Sequence, residues 1–213
     1  MMQKFRTFIA VPLPPGIAAG LADLVRRVAE TADGVRWVPV ENLHLTLKFL
    51  GDVENTEVSR VCDIAYRAAE LEPFAITFGA AGVLPSRDRP RVLTVDIDDP
   101  TDSLARLVDR LEIGYADMGF KRESRDYVPH ITLGRARSGA RRIDQSVVTP
   151  WLETRPAGGD EMMVDTLEVV SSFLAKRGAE YQVLDTIDIG LDEDDDDAVS
   201  PETVRPKVQI PPA

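Results

Sequence analysis

The chain has 213 residues, 44 % of them hydrophobic and 29 % charged, and a formal net charge of −11. That composition is of a soluble globular protein with enough chain for one large domain or two small lobes, and no apolar run approaches the roughly 20 residues of a membrane helix. Its acidity argues against tight, nonspecific binding to long duplexes, where phosphate neutralisation by Lys and Arg dominates.

In chain order, Met1–Arg6 lacks the apolar core and cleavage site of a signal peptide, so the expected location is cytoplasmic. Alternation predicts a strand over Phe5–Pro12. Pro14 and Pro15 open a helix over Pro15–Thr31 with Ile17, Leu21, Leu24, Val25 and Val28 on one face. A short extended piece with Trp37 covers Val35–Val38, and a strand His44–Leu50 closes on a turn at Gly51-Asp52. Asn55–Leu71 reads as a helix with Val58, Val61, Cys62, Ala65 and Ala69 inward. Cys62 is the only cysteine, which rules out an intrachain disulfide and reads as a buried thiol.

Phe74–Gly79 and Arg91–Ile97 read as strands joined by the loop Pro85–Pro90. Thr101–Met118 is a helix with Leu104, Leu107, Val108 and Leu111 inward, stopped by Gly119. A strand over Val128–Ala136, a short helix over Ile143–Leu152, and strands Met162–Ser171 and Glu180–Ile189 complete the order. The order is partly duplicated: a helix precedes each of two similar strands. The expected fold is α+β, with two pseudo-symmetric lobes facing a shared cleft in residues 1–190. Residues 191–213 hold seven acids and two bases, among them Asp192–Asp197, and four prolines. A segment so poor in apolar residues is expected to be a disordered tail.

The two similar strands carry the chain's only two histidines. Each histidine begins the same pattern: His44-Leu45-Thr46-Leu47 and His130-Ile131-Thr132-Leu133. Histidine titrates nearest neutrality, so the pairing points to paired proton transfer. In a strand, residues two apart share a face. His44, Thr46 and Lys48 then face one way, and Leu45, Leu47 and Phe49 face the core. His130 and Thr132 likewise oppose Ile131 and Leu133. Facing each other across a cleft, one imidazole can take a proton from water while the other protonates a leaving oxygen. The hydroxyls and a nearby cation can bind non-bridging oxygens. That suits displacement at a phosphodiester. With no acidic partner in either motif the metal-ligand set is thin, so neither metal nor cofactor is expected.

Arginines gather near the second motif at Arg122, Arg125, Arg135, Arg137, Arg141 and Arg142, with another group at Arg87, Arg89 and Arg91. Arg135 is the best candidate for a phosphate contact. Strict alternation puts it on the wrong face, so it needs a bulge or a strand end at Gly134 to reach the cleft. Trp37 and Tyr127 are candidates to stack on a base.

These residues resemble those of the two-histidine (2H) phosphoesterases, and more closely the RNA 2′,3′-cyclic phosphodiesterase branch, also called 2′-5′ RNA ligases. The resemblance rests on Arg6–Val11, Trp37-Val38-Pro39, Glu41–Gly51, Pro90–Leu93, Gly119-Phe120, Tyr127–Arg135, and a closing hairpin from Ser171 to Tyr181. It implies a bilobal fold with two antiparallel sheets around a central cleft, each lobe giving one motif, and metal-independent hydrolysis of a terminal 2′,3′-cyclic phosphate to a 2′-phosphomonoester. It further implies that His44 protonates the leaving 3′ oxygen, His130 activates water, and Thr46, Thr132 and Arg135 hold the phosphate. The expected substrate is an RNA end or a cyclic nucleotide, handled by a monomer without membrane or protein partner. A 2′-5′ RNA ligase and a non-catalytic RNA-end binding module are the alternatives.

Overall fold

The computed structural model describes residues 4–154, 161–175 and 178–190. The elements run β1 (Lys4–Pro12), α1 (Pro15–Ala29), β2 (Val35–Trp37), β3 (His44–Glu54), α2 (Val58–Ala68), β4 (Phe74–Leu84), β5 (Val92–Asp98) and α3 (Ser103–Asp117), then β6 (His130–Ala136), α4 (Gln145–Glu153), β7 (Glu161–Val164), β8 (Thr166–Ala175) and β9 (Gly178–Asp188). The acidic segment expected beyond residue 190 lies outside the described residues. No helix among them is long and apolar enough to cross a membrane.

All the strands pair antiparallel, in the order β7-β4-β5-β6-β3-β1-β8-β9, with β2 on β6. One lobe is β3, β1, β8 and β9, backed by α2 and α3; in the other, α4 packs on β4 and α1 leans on α4. The helix between β1 and β3 thus sits with the opposite lobe, and the helix between β5 and β6 returns the exchange. The expected sheets are halves of one continuous sheet, joined by the pair Leu45–Ile131 between β3 and β6.

The main core lies under the helices: Ile9, Leu45, Ile131, Leu104, Leu107, Leu111 and Trp151 are fully buried there. A second small cluster, Phe8, Ala10 and Val170, lies apart from it. That is why β1 is apolar without a break from Phe8 to Pro12, where both of its faces are covered. At the end of α3, Gly119 adopts φ +93°, its N–H bonds the Ala116 carbonyl, and Phe120 N–H reaches back to Tyr115. This is the left-handed stop expected there.

Three predicted boundaries change. No turn forms at Gly51-Asp52; β3 runs on to Glu54, pairing with β1 back to Lys4. The strand begun at Phe74 bulges past Gly79 and continues to Leu84. The run Met162–Ser171 is two strands, because β7 pairs with β4 while β8 pairs with β1 and β9. The break is written in the phase: Met162 and Val164 are buried, then Leu167 and Val169, a jump of one at Asp165.

Candidate active site

β3 and β6 are neighbours, and Leu45 lies opposite Ile131. In an antiparallel pair this sets His44 beside Thr132 and Thr46 beside His130. The two histidines sit on one diagonal of the square and the two threonines on the other. Diagonal neighbours lie about 7–8 Å apart, room for one phosphate between two imidazoles.

Each imidazole is fixed the same way. His44 Nδ1 is 2.8 Å from the Asn42 carbonyl and His130 Nδ1 is 2.8 Å from the Val128 carbonyl. A carbonyl only accepts, so both Nδ1 atoms carry the hydrogen and both Nε2 atoms are left for chemistry.

Both motif strands bulge at the same place. Against β1, the register steps from Thr46–Ala10 to Lys48–Ile9 and skips Leu47. Leu47 and Lys48 are therefore both buried, and Phe49 returns to the face of His44, 66 % exposed. Against β5, the register skips Leu133, so Leu133 and Gly134 both point inward. Arg135 then returns beside Thr132, its Nη2 3.5 Å from Oγ1. The bulge needed to bring Arg135 to the cleft exists. Its inner residue must be glycine, because a Cβ there would stand 2.8 Å from Val35 and 3.0 Å from Trp37.

The same bulge corrects two expectations. Lys48 does not share the face of His44; it is buried, donating to Glu112 at 2.7 Å and to the Lys121 carbonyl at 3.3 Å. Phe49 does not pack in the core; it faces Phe8, with ring centroids 5.8 Å apart. One extra residue inverts the pattern beyond it.

The surroundings of the two imidazoles differ. His44 stacks on Phe8 at 4.8 Å and meets the edge of Tyr181 at 5.4 Å. Burial holds its pKa below the ordinary value, reinforced by the charges of Arg135 and His130 and opposed by the Asn42 carbonyl. Below about pH 6.5 the unfolded chain takes up a proton that the folded site resists, so acid weakens the fold here. His130 is paired with Asp96 of β5, and Thr132 with Thr94. Arg36 of β2 is paired with Arg135. Phe8, Arg36, Asp96 and Tyr181 are not singled out by the sequence reading. For Asp96 a signal exists: Thr94, Asp96 and Asp98 alternate with buried Val95 and Ile97.

The remaining candidates make other contacts. Trp37 packs with the main core, its ring 6.0 Å from Trp151. Tyr127 donates its hydroxyl to the Thr46 carbonyl at 2.9 Å, and burial raises its pKa. It ties the loop before β6 to β3. Tyr127→Phe keeps the ring and removes the strut; the expected loss is about 1 kcal/mol, read as a fall of roughly 2–4 °C in Tm. Arg137 Nε donates to the Val35 carbonyl at 3.3 Å. Burial, with Asp185 alongside, pushes the Cys62 thiol up to about 12, so it is no nucleophile near neutrality.

A family model described as LigT-like phosphoesterase matches the chain twice, over residues 11–94 and 95–180, one motif in each. An RNA 2′,3′-cyclic phosphodiesterase of Methanothermobacter thermautotrophicus is 34 % identical over 184 residues, spanning 84 % of this chain and 96 % of the relative. One of Thermotoga maritima is 29 % identical over 180 residues, 84 % of this chain and 92 % of the relative. Among solved structures, TT0787 of Thermus thermophilus superposes with a TM-score of 0.73 at 28 % identity, covering 87 % of this chain and 98 % of its own. LigT of E. coli complexed with 3′-AMP gives 0.71 at 25 % identity, covering 89 % and 100 %.

Proposed function

Because the chain belongs to the LigT-like phosphoesterases, the two-histidine family, we propose that it hydrolyses RNA 2′,3′-cyclic phosphate ends to 2′-phosphomonoesters. The observation that carries this is the pair of imidazoles, each fixed through Nδ1 with Nε2 left for chemistry, set diagonally across Leu45–Ile131. The relatives from M. thermautotrophicus and T. maritima, named for this reaction, support the substrate class.

In this mechanism one Nε2 takes a proton from water as its oxygen bonds to phosphorus. The P–O3′ bond breaks, and the other Nε2 gives its proton to O3′. By position in the family pattern His130 is the base and His44 the acid. Thr46 and Thr132 bind the non-bridging oxygens, and Arg135, held near Thr132, takes up charge that develops on them. Phe49 and Tyr181 offer ring faces to the unstacked terminal base. Every group in this sequence of steps belongs to the chain, and the reaction needs no metal.

The test is hydrolysis of an oligoribonucleotide ending in a 2′,3′-cyclic phosphate, run in EDTA, with the product identified by mass and by co-elution with synthetic 2′-phosphate and 3′-phosphate standards. Turnover to the 2′-phosphate, undiminished by chelation, is expected. A 3′-phosphate product, or activity lost in EDTA and restored by a divalent cation, sinks the mechanism. Binding without turnover points instead to the ligase or to a binding module.

A further inference from the structure

We propose that Arg36 binds the internucleotide phosphate on the 5′ side of the terminal nucleotide, so that the site reads the RNA chain as well as its cyclic end. The inference rests on the function proposed above and deepens it.

Along β6 the face toward the site carries His130, Thr132 and, past the bulge, Arg135. The segments beside it supply a partner for each in turn: Thr46 and His44 from β3, then Arg36 from β2, which pairs with Arg135. That last rung is fixed from both sides. Val38 N–H bonds the Leu133 carbonyl at 2.9 Å, and Arg137 N–H bonds the Gly34 carbonyl at 2.9 Å. The side chains of Val35 and Trp37 turn inward, toward the place a Cβ on Gly134 would take. Arg36 stands between them in the strand, so it turns to the opposite face, that of the histidines, where it is exposed.

Two guanidiniums therefore share one rung beside the phosphate place. Like charges directly opposite destabilise a strand pair. No carboxylate offsets them, since none of the ion pairs among the described residues uses Arg36 or Arg135. Burial holds the Arg135 guanidinium below its ordinary pKa, Tyr181 opposes this, and the charge of Arg36 adds to it. An anion bound at the rung relieves the conflict. Arg135 leans back to Thr132, its Nη2 3.5 Å from Oγ1, and serves the cyclic phosphate. Arg36, on the outer strand, is left for the next phosphate of the chain, to which a guanidinium fork is suited.

The local two-fold gives the chain its direction. Phe49 follows Thr46 across one bulge as Arg135 follows Thr132 across the other. One end of the site is thus aromatic and the other cationic. With the terminal base at Phe49 and Tyr181, the cationic end is open to the phosphate that precedes it.

The experiment uses two dinucleotides that both end in a 2′,3′-cyclic phosphate, one joined by an ordinary phosphodiester and one by an uncharged methylphosphonate. Steady-state constants of the full chain are compared for wild type, Arg36→Ala, Arg36→Lys and Arg27→Ala. The ratio between the two substrates is internal to each protein, so any loss of folded enzyme cancels from it. Wild type prefers the charged linkage about tenfold in kcat/KM, nearly all of it in KM. Arg36→Ala shows no preference. Arg36→Lys keeps part of it, because the charge remains without the fork. Arg27→Ala, which removes an exposed arginine of α1, keeps all of it. A preference retained by Arg36→Ala overturns the proposal. So does a kcat lost equally on both linkages, which would place Arg36 on the cyclic phosphate. If wild type turns over neither dinucleotide, the functional reading falls and this inference with it. If wild type turns over both alike, this inference alone falls.

Discussion

Replacing either His44 or His130 with alanine lowers kcat on a 2′,3′-cyclic phosphate end by about 10²–10⁴, the usual worth of a positioned acid or base. Each ring is held by one backbone carbonyl through Nδ1, so removing it leaves the strand ladder unchanged. The threonines and Arg135 stay in place, and KM changes far less than kcat. The double variant falls well short of the product of the two single losses, because acid and base act on one transition state. His44→Ala carries a second, smaller effect, since the ring fills the space between Phe8 and Tyr181. Its Tm drops slightly where that of His130→Ala does not. Steady-state kinetics with single-turnover controls check the first point and calorimetry the second. Unchanged rates in both single variants would assign the turnover to a contaminant.

Lys48→Ala is the most damaging substitution for the fold. Lys48 is 4 % exposed, and its ammonium bonds Glu112 and the Lys121 carbonyl. Glu112 also accepts the backbone N–H of Glu123 at 3.1 Å. This cluster fastens the loop before β6 to the bulge of β3. Truncating one member leaves a buried carboxylate without its partner, which costs about 3–5 kcal/mol. For a chain of this length that is a fall in Tm of roughly 6–20 °C. Lys48→Met with Glu112→Gln removes both charges, fills most of the volume and keeps an acceptor for Glu123. The double variant recovers most of the loss. If Lys48→Ala melts with wild type, the pair contributes nothing and the bulge is held by packing alone.

Much of this is legible in the sequence. Period-2 alternation locates β1, the start of β3, and β6; period-3.6 stripes locate α1, α2 and α3; the repeated His-apolar-Thr-apolar pattern names the centre of the candidate site. What is not legible has one main physical source. A bulge adds a residue without a mark in the composition, and beyond it every side chain changes face. So alternation assigns Lys48 to the cleft and Phe49 to the core, each the reverse of its place. Arg135 is recovered only because Gly134 suggests where a bulge could sit. Cross-strand neighbours are closed to reading for a different reason. Asp96 and Arg36 meet β6 through pairings 34 and 99 residues apart in sequence (130 − 96 and 135 − 36), and no local pattern encodes a register.

The pairing of β1 with β8 joins Arg6 to Ser172, across nearly the whole described chain. On a ribosome, β1 emerges before the other described strands, and β8 after all of them but β9. Until β8 arrives, β1 presents a bare edge beside Phe8 and Ala10, with only His44 and Phe49 of β3 over Phe8. Such an edge invites pairing with another nascent chain. The β8–β9 hairpin is the late piece that closes it, and it brings Tyr181 to the ring of His44 in the same step. Completion of the sheet and completion of the pocket around that imidazole are one event, so a chain stopped before residue 166 carries both histidines and still lacks the wall of one of them.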